Sequence, residues 1–188
     1  MKTASTAIAA ELCEIYGGEM ILHKHASMGE FQSQASNSEK RYFSFAGVRN
    51  PLDVAVSRFV LRKAGRNSDD DHRAQKAFIE STGGDFNKYF VEYVVSRHRK
   101  NIGIVPSDWN SPSFQSIDYI YNYENLEFAF PEILRKIGIE PVRDLPAFNQ
   151  TFSKKPFLDY YDERTLQLAC QVFRDYMAMW NYEVNGRF

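Results

Sequence analysis

The chain is 188 residues long, and its 23 lysines and arginines against 24 aspartates and glutamates leave a formal net charge of −1. That length suits one domain spanning residues 1–188, and a composition 44% apolar and 15% aromatic supplies the material for a sizeable core. The balanced charge excludes a generally basic nucleic-acid binder, so no nucleic-acid partner is expected and any anion site must be local.

In chain order, Ala4 to Tyr16 reads as a helix, because Ile8, Leu12 and Ile15 recur at helical spacing and Gly17-Gly18 stops it. Met20 to Leu22 is a short apolar run, read as a strand that delivers His23, Lys24 and His25. Gly29 to Ser36 suits a short helix. Tyr42 to Val48 (YFSFAGV) is the best strand, apolar on both faces as a buried parallel strand should be. Next, Asn50 is a good N-cap, Pro51 fits the first helical position and Asp53 the first turn. Leu52, Ala55, Val56, Phe59 and Val60 then form an apolar stripe, completing a strand–helix unit. Asn67 to Asp71 reads as a solvated loop, Phe86 to His98 as a helix, and Asn101 to Gln115 as a long loop. SIDYIYNYENL, from Ser116, contains a strand, and Leu126 to Ile137 continues as a helix ended by Gly138. A second loop covers Glu140 to Pro156. Ala169, Val172, Phe173, Tyr176, Met177 and Trp180 mark a long C-terminal helix. Alternating strands and helices predict an α/β fold, a three-layer sandwich around a central, mostly parallel sheet.

Cys13 and Cys170 both fall in helix-like segments, so a disulfide framework is not indicated and a reducing, cytoplasmic setting is expected. No apolar run approaches the roughly 20 residues of a membrane span, and no signal-peptide pattern is read at the start.

Three constellations could carry chemistry. The first is Lys2, Thr3, Ala4, Ser5 and Thr6, small residues opening directly onto a helix. Such a start presents free backbone N–H groups and a positive dipole end to an anion, with Lys2 adding charge and the hydroxyls adding donors. It is not a Walker A loop, which needs a glycine-bracketed lysine; a capped, frayed terminus is the plain alternative. The second is Arg49, at the carboxyl end of the buried strand where ligands of open α/β sheets collect, with Ser57 eight residues on. A guanidinium and a hydroxyl suit a phosphate monoester, although Ser57 lies about 12 Å further along a helix and both could be ordinary surface groups. The third is His23 and His25, which alternate to one side of a strand end. No third and fourth ligand follow at a familiar spacing, so no metal is expected. A histidine general base fits better, its ordinary pKa being suited to neutral pH.

Together these stretches resemble the sulfotransferases that use 3′-phosphoadenosine 5′-phosphosulfate (PAPS). The family's phosphosulfate loop, which resembles a P-loop, reads P-K-[TSA]-[GA]-[ST]-[ST], and KTAST fits from Lys2 onward. Its 3′-phosphate motif reads R-[DN]-P-x-[DE]-R-x-x-S, matched by Arg49, Asn50, Pro51, Asp53 and Ser57, with Val54 where the second arginine stands. YENLEFAFPEILRKIGI, from Tyr123, looks like a later strand–helix unit of the family, and YYDERTLQLACQVFRDYMAMWNYEV, from Tyr160, like its closing helix. Within the superfamily, LHKHASMGEF is similar to the H-x-H segment of the uronyl 2-O-sulfotransferases of glycosaminoglycans.

The resemblance implies transfer of a sulfuryl group from PAPS to an acceptor hydroxyl, of a carbohydrate in the uronyl branch, leaving the product PAP and using no metal. It implies cofactor contacts from Lys2, Thr3, Ala4, Ser5, Thr6, Arg49 and Ser57, and from Lys154 and Lys155 in a loop that often adds such contacts. Lys2 also stabilises the leaving group, His25 is the base and His23 lies near the acceptor. The family's loop follows a central strand, and none is read before Lys2, so the first strand of the sheet is expected to be missing or encoded upstream of Met1. A truncated homologue that binds nucleotide without turnover, and a P-loop phosphotransferase, are the rival readings.

Overall fold

The structure, a computed structural model, describes residues 3–23, 26–65, 70–98, 104–105, 108–146 and 155–184. The chain divides into two compact units: Lys2–Arg49 with Asp108–Asn149, and Asn50–Ser107 with Gln150–Phe188 and Met1.

In the first unit, β1 (Phe45–Val48) and β2 (Tyr119–Asn122) pair in parallel, with Phe45 opposite Tyr119, Gly47 opposite Tyr121 and Val48 opposite Asn122. The strands are tied just before they begin: Asp118 accepts from both the amide and the hydroxyl of Ser44, each at 2.7 Å. Helices α1 (Ser5–Ile15) and α8 (Leu126–Lys136) supply the apolar cover, while α2 (Met28–Gln34) and α7 (Pro112–Gln115) are shorter. Ala129, Phe130, Ile133 and Leu134 line one stripe of α8 and close a core with Ile8 of α1 and Tyr121 of β2. Glu11, on α1, is the buried exception. Its carboxylate takes two hydrogen bonds from Arg143, Nε at 2.7 Å and Nη2 at 2.8 Å, so the charge is paired where water is excluded.

The second unit is helical: α3 (Pro51–Lys63), α4 (Asp70–Ser81), a run of α5 (Phe86–Tyr89), one π-helical turn (Phe90–Val94) and α6 (Val95–His98), then α9 (Glu163–Val172) and α10 (Arg174–Met179). The start of α3 follows its sequence signals, since the Leu52 amide donates to Asn50 Oδ1 at 3.0 Å and Pro51 needs no partner for an N–H. Leu52, Ala55, Val56 and Phe59 are buried, and aromatic edges knit the interior: Phe59 on Phe86 at 5.3 Å and Phe86 on Tyr161 at 4.7 Å between ring centres. The half-buried Tyr161 donates from its hydroxyl to the Leu52 carbonyl at 3.0 Å.

This is the mixed α/β architecture expected, with two parallel strands among the described residues. Several local readings change. β1 starts at Phe45 rather than at Tyr42, which is exposed, and α7 lies inside the stretch read as a loop from Asn101 to Gln115. Met20 to Leu22 is not a strand: Met20 and Ile21 are exposed, so neither face of the run is covered. Asp70 and Asp71 open α4 rather than closing a loop, acidic residues being favoured in a first turn. The C-terminal helix breaks at Phe173, whose backbone (φ −104°, ψ 10°) separates α9 from α10. No described helix is long and apolar enough to cross a membrane.

Candidate functional site

The N-terminal loop belongs to the first unit, and its geometry follows from one residue. Ala4 has left-handed backbone angles, φ 60° and ψ 10°, turning the chain sharply into α1. A side chain longer than a methyl would be strained further there, which is a physical reason for a glycine or alanine at this place in the loop. The helix then starts with no acidic residue in its first turn and no side-chain cap. The Ile8 amide is the one that bonds back to the Ala4 carbonyl, at 3.0 Å. The amides before it have no partner within the helix, and the side chains of Ser5 and Thr6 are exposed beside them. An uncapped helix start with hydroxyls and no carboxylate is chemically suited to an anion.

Thr3 is buried, and its carbonyl accepts a hydrogen bond from the Tyr121 hydroxyl of β2 at 2.9 Å. Burial pushes the Tyr121 phenol far above its ordinary pKa, so it remains a donor across the physiological range. Two residues on, the ring of Tyr123 lies under the Arg49 guanidinium, 4.0 Å from its centroid. Stacking on an aromatic face fixes the plane of the guanidinium. The end of β2 thus touches both the loop and Arg49.

His23 is exposed, with Nε2 2.7 Å from Oε1 of Glu30 in the first turn of α2. Glu30 is itself placed by the cap of that helix, its amide donating to Ser27 Oγ at 3.1 Å. The carboxylate therefore orients the imidazole through one ring nitrogen.

Ser57 lies in the second unit, buried on α3. Val54, on the same helix, is buried with it, so an arginine could not occupy that position without displacing core. Lys155 is exposed in the second unit. Lys2, His25 and Lys154 lie outside the described residues. Of the expected site residues the structure sets the Thr3 carbonyl on Tyr121 and Arg49 on Tyr123, two positions apart in the chain. It adds Tyr121, Tyr123 and Gly47, which sequence reasoning missed. The tyrosines stand in the strand segment YIYNY, but only the pairing with β1 shows what they touch.

A parallel strand pair with helices makes this an α/β protein, and its uncapped α1 start is chemically suited to an anion. The family model described as Sulfotransferase family matches residues 2–179, and the chain belongs to that family. No curated protein and no solved structure matches the chain.

Proposed function

We propose that the protein is a PAPS-dependent sulfotransferase acting on a hydroxyl of a carbohydrate acceptor. The observation that carries this reading is the span of the family match, which takes in both Lys2–Thr6 and Arg49–Ser57. The loop supports it, since an uncapped helix start without a carboxylate in its first turn fits a phosphosulfate better than a cation.

PAPS supplies a sulfuryl group already joined to a good leaving group, its 5′-phosphate. Amides at the start of α1, the hydroxyls of Thr3, Ser5 and Thr6, and the ammonium of Lys2 hold that end, and Lys2 stabilises the charge that develops on the departing phosphate oxygen. The 3′-phosphate falls to Arg49, and the family resemblance adds Ser57 and the Lys154–Lys155 pair as cofactor contacts; reading that phosphate separates PAPS from nucleotides that lack it. His25 takes the acceptor's hydroxyl proton as the acceptor oxygen bonds to sulfur and the sulfur–phosphate oxygen bond breaks, its electron pair staying on PAP. His23, oriented by Glu30, lies two residues away for contact with the acceptor. The scheme gives no role to a metal.

The test is release of PAP from PAPS, measured by chromatography, in the presence of uronic-acid polysaccharides, simple glycosides and phenols. Acceptor-dependent release with the polysaccharides is the expected result. Tight PAP binding with no release for any acceptor would instead support a nucleotide-binding homologue without turnover.

A further inference from the structure

The residue that most directly fixes the N-terminal loop is not on the loop. Tyr121 stands on β2 opposite Gly47 of β1, and its ring lies across that glycine. A Cβ on Gly47 would stand 2.6 Å from the ring carbon that bears the hydroxyl, so the missing side chain is what lets the ring take this path. Core residues from α1 and α8 close around the ring, and 4% of Tyr121 remains exposed. At the end of that path the hydroxyl meets the Thr3 carbonyl, one residue before the left-handed turn at Ala4. A buried phenol that must find a partner, and a buried carbonyl that must find a donor, satisfy each other at one spot.

We infer that Tyr121 is a positioning residue for the phosphosulfate loop, holding the Thr3–Ala4 turn, through the space left by Gly47, in the form that aims the first amides of α1 at the cofactor. The inference rests on the sulfotransfer reading. Tyr121 touches no cofactor atom. Its contribution is to keep the binding-competent loop populated, so that PAP and PAPS do not have to reorder it. Without the hydroxyl the loop samples other conformations, and apparent affinity falls by the fraction of time it is competent. A bound ligand restores the order, so turnover at saturation changes little.

Tyr121→Phe removes the hydroxyl and keeps the ring. PAP affinity by calorimetry should weaken about five- to tenfold, the factor typical of one buried hydrogen bond. KM for PAPS should rise by a similar factor with kcat within about twofold, a split that general destabilisation does not produce. Tyr119→Phe is the control, because that neighbouring hydroxyl donates to Glu132 at 2.7 Å, away from the loop. It should leave PAP affinity unchanged. Equal affinity in wild type and Tyr121→Phe overturns the inference, as does an equal loss in Tyr119→Phe. A wild-type protein that does not bind PAP at all overturns the sulfotransfer reading, and the role of Tyr121 with it.

Discussion

Replacing Gly47 by alanine should be far more costly than adding one methyl group suggests. The new Cβ would lie 2.6 Å from both Cζ and the hydroxyl oxygen of Tyr121 and 2.8 Å from Cε2. Contacts that short do not persist, so either strand β1 or the ring must move. The ring is enclosed by Ile8, Phe130 and Ile133, and any swing also breaks its bond to Thr3. Overpacking of a filled core costs about 1–3 kcal/mol, and the lost buried hydrogen bond adds about 1 kcal/mol. At about 2–4 °C per kcal/mol for a chain of this size, Tm should fall by roughly 5–15 °C. Thermal unfolding followed by circular dichroism measures it. Contacting residues couple in a double-mutant cycle, so Gly47→Ala should cost much less in a Tyr121→Leu background, where the clashing ring carbons are gone. An unchanged Tm in the single variant, or the same cost in both backgrounds, would refute the reasoning.

Other expectations follow from the same geometry. Ala4→Gly should raise stability by about 1 kcal/mol, because glycine adopts the left-handed turn without strain, whereas Ala4→Val should lower Tm. Tyr123→Leu should weaken PAP binding by about two- to thirtyfold, the range of a cation–π contact, by removing the ring on which the Arg49 guanidinium stacks, as read by calorimetry. The hydrogen bonds from Arg143 hold the Glu11 carboxyl below the usual carboxylate range. A pKa lowered on folding gives stability that is present above the unfolded value and lost as pH falls through the folded one. Tm should therefore drop on acidification below the ordinary glutamate range, and Arg143→Ala should lower Tm at neutral pH and flatten that acid limb. His25→Ala should cut turnover by about 10²–10⁴-fold with PAP affinity retained; a matching loss of affinity and Tm would instead mark a packing residue.

The parts legible in the sequence are those where local chemistry and tertiary burial agree. In β1 Gly47 and Val48 are buried while Phe45 and Ala46 are half-buried, enough for its apolar run to stand out, and Asn50-Pro51 starts α3 by local rules alone. α8 shows a clear apolar stripe because four of its residues enter one core. Helix α4 was hard to read for the opposite reason: it buries little beyond Gln75 and Ile79, which leaves too thin a periodic signal. Met20 to Leu22 misled because three apolar residues look like a strand whether or not another strand lies beside them. At the site, the small residues of the loop and Arg49 could be read from motif spacing. The brace could not, since it depends on the register that sets Gly47 against Tyr121, 74 positions apart in the chain.

The central claim is a site that reads a nucleotide 3′-phosphate together with a 5′-phosphosulfate, and calorimetric titration with PAP, AMP and ATP tests it most directly. The account predicts that PAP binds much more tightly than AMP or ATP and that Arg49→Ala removes the difference, since a charged hydrogen bond to the 3′-phosphate is lost. Equal affinity for PAP and ATP, or a preference for PAP that survives Arg49→Ala, would contradict it.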